Sequence, residues 1–208
     1  MIVPADVFRD RSVLHGEHVR LEPLGPAVLE DYLRALDDPE VRRSTGSHTV
    51  ADRTTVERWL ASRHEHHDRA DWAVVRAADG AFLGEAVLND LDPDNGSCNF
   101  RILLGGPHQG RGYGTEAVRL AVGEAFARGL HRVSLGVFEF NARAQRVYEK
   151  CGFVVEGRCR DVLHWDGRWH DEIVMSVLAG ELRRPARRAG GALPARRSQV
   201  ARGRGGGI

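Results

Sequence analysis

The sequence is poor in several things, and each shortage removes a class of function. It has three cysteines, Cys98, Cys151 and Cys159, and no C-x-x-C pair. An odd, unpaired set argues against a disulfide framework or a zinc site and for a reducing compartment, so a cytoplasmic protein is expected. No stretch approaches the roughly 18 apolar residues of a membrane span. The opening MIVPADVFRDRS lacks an apolar run behind a basic start, so no secretion signal is read there. Lysine is nearly missing: Lys150 is the single one among 30 basic residues. Beside so much Ala, Gly and Arg, this reads as the codon usage of a GC-rich genome rather than as chemistry.

What is present is a chain of 208 residues, 28% charged and 42% hydrophobic, the make-up of a soluble globular protein with one full core. Its net charge of +1 conceals two regions. Beyond Leu182 lie eight arginines (183, 184, 187, 188, 196, 197, 202 and 204) and no acidic residue, which leaves 22 basic against 29 acidic groups in 1–182, a net of −7. An acidic body draws in cations such as amines and repels nucleic acid. Residues 183–208, rich in Arg, Gly and Pro without a period, are expected to form a disordered tail that holds an anion such as RNA only weakly. Residues 1–17 read as an N-terminal extension, and 18–182 as one domain.

Within that domain the pattern alternates between strand and helix periods. His18–Pro23 reads as a first strand. Pro26 suits the first turn of a helix with the stripe Val28, Leu29, Tyr32, Leu33 and Leu36. Asp52 caps a second helix carrying Val56, Trp59 and Leu60. Trp72–Ala78 and Phe82–Leu88 form a hairpin around Asp79-Gly80. Cys98–Leu104 is a further strand, and a helix from about Thr115 to Arg128 stops at Gly129. Arg132–Phe138 is a strand, Asn141 caps a short helix ending before Gly152, and Val162–Trp165 with Arg168–Val177 closes the domain as a hairpin at Asp166-Gly167.

The strand Cys98–Leu104 runs into Gly105-Gly-Pro-His-Gln-Gly-Arg-Gly-Tyr-Gly114 and then a helix. Alternating glycines let successive backbone N–H groups converge, and the helix N-terminus adds its positive end, which makes an anion site. A Walker loop needs Gly-Lys-Ser/Thr, and the dinucleotide fingerprint needs G-x-G-x-x-G; this loop has neither. Taken alone, it is equally compatible with an ordinary turn before a helix.

Further motifs carry a resemblance. Gln109-x-x-Gly112-x-Gly114 resembles the Gln/Arg-x-x-Gly-x-Gly/Ala loop of the GNAT acetyltransferase superfamily, and Asn141-x₆-Tyr148-x₃-Gly152-Phe153 resembles its downstream segment. Val19–Leu24, Gly112–Ala117 and Asp166–Trp169 are more like its Rim-type branch, which includes ribosomal-protein N-terminal acetyltransferases. The match runs from about residue 18 to 178. It implies a single α/β (α+β) domain with a mixed, mostly antiparallel central sheet and helices on both faces. It also implies an acetyl-CoA co-substrate in a cleft between diverging parallel strands. Ile102, Leu103 and Leu104 would pair with pantetheine; Gln109, Gly110, Arg111, Gly112, Tyr113, Gly114 and Thr115 would hold the pyrophosphate. Asn141 would bind the pantetheine arm, and Tyr148 would protonate the departing thiolate.

Amide formation also needs an uncharged amine, and an amine of pKa about 10 is neutral only about once in a thousand molecules at pH 7. The acidic residue that family members often carry five positions before the conserved Asn is Gly136 here, so Glu85, in the strand Phe82–Leu88, is taken as the proton acceptor. His164, His170 and Asp171 are further candidates for the acceptor groove. His64 and Asp68 are four apart on a helix, yet two ligands do not make a site and no metal is expected. Neither Cys98 nor Cys151 has a partner suggesting an acyl-enzyme, so direct attack in a ternary complex is expected. The acceptor is a primary amine, on a small molecule or at the N-terminus of a ribosomal or other protein. A homodimer is compatible, and a membrane partner is not expected. The alternative reading is a non-catalytic acyl-CoA-binding module.

Overall fold

The computed structural model describes residues 2–50, 52–105, 108 and 110–183. The strands are β1 (Leu14–His15), β2 (Val19–Pro23), β3 (Ala70–Arg76), β4 (Phe82–Asp92), β5 (Ser97–Leu104), β6 (Arg132–Phe138), β7 (Val154–Trp165) and β8 (Arg168–Leu178). The helices are α1 (Leu29–Asp37), α2 (Pro39–Thr45), α3 (Arg53–Ser62), α4 (Tyr113–Ala127) and α5 (Ala142–Cys151). One sheet takes the strands in the order β1-β2-β3-β4-β5-β6-β8-β7. Every pairing is antiparallel except β5 with β6, which is the mixed sheet expected.

Strand alternation feeds two cores. Trp72 and Val74 of β3 join the larger one with Val118, Ala121 and Val122 of α4 and with Tyr148 and Cys151 of α5. Ala73 and Val75, pointing the other way, join Tyr32 of α1 and Val56 and Leu60 of α3. The sheet is therefore covered on both faces, as expected, and β3 is buried nearly throughout. The segment 1–17, set apart in the sequence as an extension, contributes Val3 and Phe8 to the larger core.

One irregularity decides which way the site faces. Val74 pairs with Gly84 but Val75 pairs with Phe82, so β4 bulges at Leu83. Gly84 has φ +154°, and a Cβ there would collide with the Leu103 carbonyl, so only glycine fits. The extra residue resets the alternation. Leu83 shares the larger core with Ala86 and Leu88, while Glu85, opposite Ala73 and Leu103, turns to the α1 face.

Three elements depart from the sequence reading: β1, within the segment read as an extension, and the two that follow. Helix α2 is unexpected; the Asp38 side chain caps it at Glu40 N (2.8 Å), and Gly46 closes it at φ +68°. Strand β7 starts at Val154 rather than Val162. Its first half is an exposed edge with register shifts at Val155/Gly157 and Cys159/Leu163, and these erase the two-residue period.

Candidate active site

Strands β5 and β6 pair only from Ser97–Asn99 to Arg132–Ser134. Beyond that, β5 continues along β4 to Leu104 and β6 along β8 to Phe138, so the two diverge. The resulting cleft has a volume of about 830 Å³ and is lined by Ile102, Leu103 and Leu104 on one wall and Gly136, Val137 and Phe138 on the other.

At one end lies the N-terminus of α4. Gly110 and Gly112 take φ +77° and +86°, and nothing stands within 4 Å of where their Cβ atoms would be. These glycines serve the backbone path and close approach rather than packing. The Gly112 cap position offers no side chain, and the first helical bond is Glu116 N–H to the Gly112 carbonyl at 3.2 Å. The N–H groups of Tyr113, Gly114 and Thr115 thus start the helix without intrahelical acceptors. Gly110, Gly112, Gly114 and Thr115 line the cleft. Gln109 lies outside the described residues. Arg111 and Tyr113 line a separate hollow of about 450 Å³ with His18 and Arg76.

Helix α5 supplies the next wall. The Asn141 side chain accepts from Ala144 N at 3.1 Å, which sets the first turn and leaves the amide NH₂ as a donor. Tyr148 enters the cleft from the α4 side of the sheet. Burial pushes its phenol pKa up, which keeps the proton on, and its hydroxyl makes no hydrogen bond among the described residues. Arg143, Arg146 and Lys150 also line the cleft. Their spacing of three and four places them on one helix face, a basic stripe that the sequence reading missed.

The opposite face of the sheet brings carboxylates to the cleft, with Arg101 of β5 beside them. Glu85 is 3% exposed. The Tyr32 hydroxyl donates to its Oε2, while its Oε1 is buried without a hydrogen-bond partner. Burial raises its pKa; the Tyr32 hydrogen bond and Arg101 offset this in part. Glu172 is a second carboxylate in the cleft, standing opposite Phe138 in the β6–β8 register. Its carboxylate leans over Gly136 and fills the space a side chain there would take. Ser44, Thr45 and Ser47, from α2 and the turn after it, complete this end. Glu172 was not foreseen either; its place depends on strand register, which no local motif encodes.

Three sequence candidates lie elsewhere. Asp171 pairs with Arg158 and accepts from Asp161 N. His170 is buried against Phe140, and His164 packs on Trp169, its cross-strand partner, with ring centroids 5.0 Å apart. Burial raises the thiol pKa of Cys98 to about 12 and of Cys151 to about 11; both stay protonated, so neither is a ready nucleophile.

Comparison with known proteins agrees with this architecture. Residues 18–154 match the family model described as "Acetyltransferase (GNAT) domain". The spermidine N(1)-acetyltransferase of Vibrio cholerae is 30% identical over 120 residues, 57% of this chain and 69% of that one. The crystal structure of a GCN5-related N-acetyltransferase from Brucella melitensis superposes with a TM-score of 0.71 at 28% identity, covering 86% of this chain and 83% of that one. That of the Vibrio cholerae spermidine N-acetyltransferase in complex with CoA and spermine gives 0.74 at 23% identity, covering 80% and 98%. The chain belongs to the GNAT acetyltransferase family: it is an N-acetyltransferase that draws on acetyl-CoA and acylates an amine, not a non-catalytic acyl-CoA-binding module.

Proposed function

We propose that the acceptor is a small cationic amine rather than a protein N-terminus, and that the two sides of the sheet divide the labour. The observation that carries this reading is Glu85, a carboxyl buried within the cleft on the face opposite Tyr148. A buried anion favours a slender cation that enters and sheds its water. The spermidine acetyltransferase of Vibrio cholerae, at 30% identity, and the net charge of −7 over 1–182 support the same choice. Free cysteines and acetyl-CoA as donor support a cytoplasmic setting.

In this reading the N–H groups from Gly110 to Thr115, with Gln109 and Arg111, hold the pyrophosphate, and Tyr113 borders it. Ile102, Leu103, Leu104 and Asn141 align the pantetheine arm, which places the thioester where the strands diverge. Ionised Glu85 takes a proton from the ammonium; the neutral nitrogen attacks the thioester carbon directly. The C–N bond forms, the C–S bond breaks, and Tyr148 gives its proton to the sulfur. The second proton lost by nitrogen returns to Tyr148 through solvent, and Glu85 gives up its own to solvent, so one proton is released per turnover. Acid and base act from opposite faces, so a proton need not be exchanged between them.

The test is release of free thiol from acetyl-CoA over a panel of small cationic amines, amino acids, aminoglycosides and N-terminal peptides. Small amines such as spermidine are expected to show the highest kcat/KM. Faster turnover of peptide N-termini, or no thiol from any small amine, overturns the reading.

A further inference from the structure

The acceptor end of the cleft holds two carboxylates where the chemistry of one amine requires one. Making an ammonium nucleophilic removes a single proton, and in the reading above Glu85 accepts it. Glu172 then has no proton to take. It also has no cation: among the described residues its carboxylate makes no hydrogen bond and no ion pair, although the chain has many arginines. One base shares this face: Arg101 of β5, opposite Val87, lines the cleft and acts on Glu85, whose pKa it lowers, and it makes no ion pair with Glu172. The other nearby bases are engaged or belong to the donor wall. Arg143 pairs with Glu40 at 3.0 Å, Arg158 with Glu139 and Asp171, and Arg146 and Lys150 lie along α5 with the donor site. A half-buried carboxylate facing a cleft with no ion pair of its own among the described residues leaves a charge for a ligand to balance.

Register fixes where that charge stands. On β8, Ile173, Met175 and Val177 point into the α4-side core, so Glu172 points to the α1 face, the side occupied by Glu85. Gly136 faces the same way, and its missing side chain is what lets the Glu172 carboxylate lie flat against β6. The glycine has an ordinary backbone conformation, so its purpose here is space. Acidic groups that merely cluster prove little. Here the buried, unpartnered Oε1 of Glu85 opens on the same cleft and independently asks for a polar ligand atom.

We propose that Glu172, seated in the space left by Gly136, binds a second ammonium group on the acceptor, so that the site selects diamines and longer polyamines over monoamines. This rests on Glu85 as the proton acceptor for the reacting nitrogen. Selectivity then comes from a charge that persists through the reaction, while turnover comes from one that does not.

The experiment is titration calorimetry of the full chain loaded with CoA, using 1,4-diaminobutane and 1-aminobutane as probes, with thiol release recorded for the same pair. The wild type is expected to bind the diamine about tenfold or more tightly than the monoamine, the scale of one charge-assisted contact. Glu172→Gln, which keeps shape and removes charge, is expected to bring that ratio close to one. Gly136→Ala is expected to do the same, because the three atoms nearest its Cβ all belong to the flexible end of Glu172, which it displaces. Equal binding of the two probes by the wild type overturns the proposal. So does a Glu172→Gln variant that keeps the ratio, or one that loses turnover on both probes equally, which is the mark of a proton-transfer role. Binding is read without turnover, so thiol silence with the ratio intact counts against the proposed function alone.

Discussion

The two walls of the cleft, assigned above by proposal to donor and acceptor, are built by different means. On the donor side, contiguous backbone does the work: one glycine-rich turn, the first N–H groups of α4 and the last residues of β5. On the acceptor side, isolated side chains converge from α1, α2, β4 and β8, namely Tyr32, Ser44, Thr45, Glu85 and Glu172. A phosphate-bearing ligand common to a whole family can be held by main chain, which tolerates change around it. A variable acceptor has to be read by side chains, which can be exchanged one at a time.

This contrast is open to test, and the largest effect is expected at the point where the walls meet. Tyr148→Phe removes the hydroxyl proposed as proton donor and leaves the ring packed against Phe153. Turnover should fall by about 10²- to 10⁴-fold, the range for a lost general acid, while CoA affinity by titration stays within a few-fold. Equal losses in both would make Tyr148 part of the donor wall only.

Next is Glu85, where the expected change is in pH dependence as well as rate. Its carboxyl pKa is raised by burial, and only the ionised form accepts a proton. Activity should therefore fall as pH drops through that raised value, with the acid limb of kcat/KM above the ordinary carboxylate range. Glu85→Gln should abolish this limb and lower kcat by on the order of 10²-fold. A limb that survives unchanged would assign it to another group.

The smallest effect belongs to the donor loop. Gly112→Ala places a Cβ at φ +86° in open space, so the cost is backbone strain of roughly 1–2 kcal/mol. CoA should bind about 5- to 30-fold more weakly by titration, with the preference among acceptors unchanged. A shift in acceptor preference would show that the two walls are not separable.

The same contrast explains what could be read from the sequence. The Asn141 cap and the strand Arg132–Phe138 are local patterns that stand where the sequence puts them; the glycine-rich loop and Tyr148 are local patterns too, and residues of both line the cleft. Glu85 was named but its face stayed open, because the answer lay in the bulge at Gly84. A glycine inside a strand is itself the warning of such a bulge. Helix α2 also had its signature, Asp38 before Pro39 and Gly46 at the end. Only Val41 is buried there, too little to raise a helical period. Glu172 had no local signature. Its role comes from the pairing of β6 with β8 and from the side chain that Gly136 lacks.

The short pairing of β5 with β6 has a mechanical consequence. The sheet is two antiparallel leaves, β1–β5 and β6–β8–β7, stitched by three rungs at one end and backed by α4. A ligand lying between the leaves closes the open part of that seam like a clasp. Part of its binding energy is then held as cohesion of the fold, and the protein becomes harder to pull apart in proportion to how fully it is loaded.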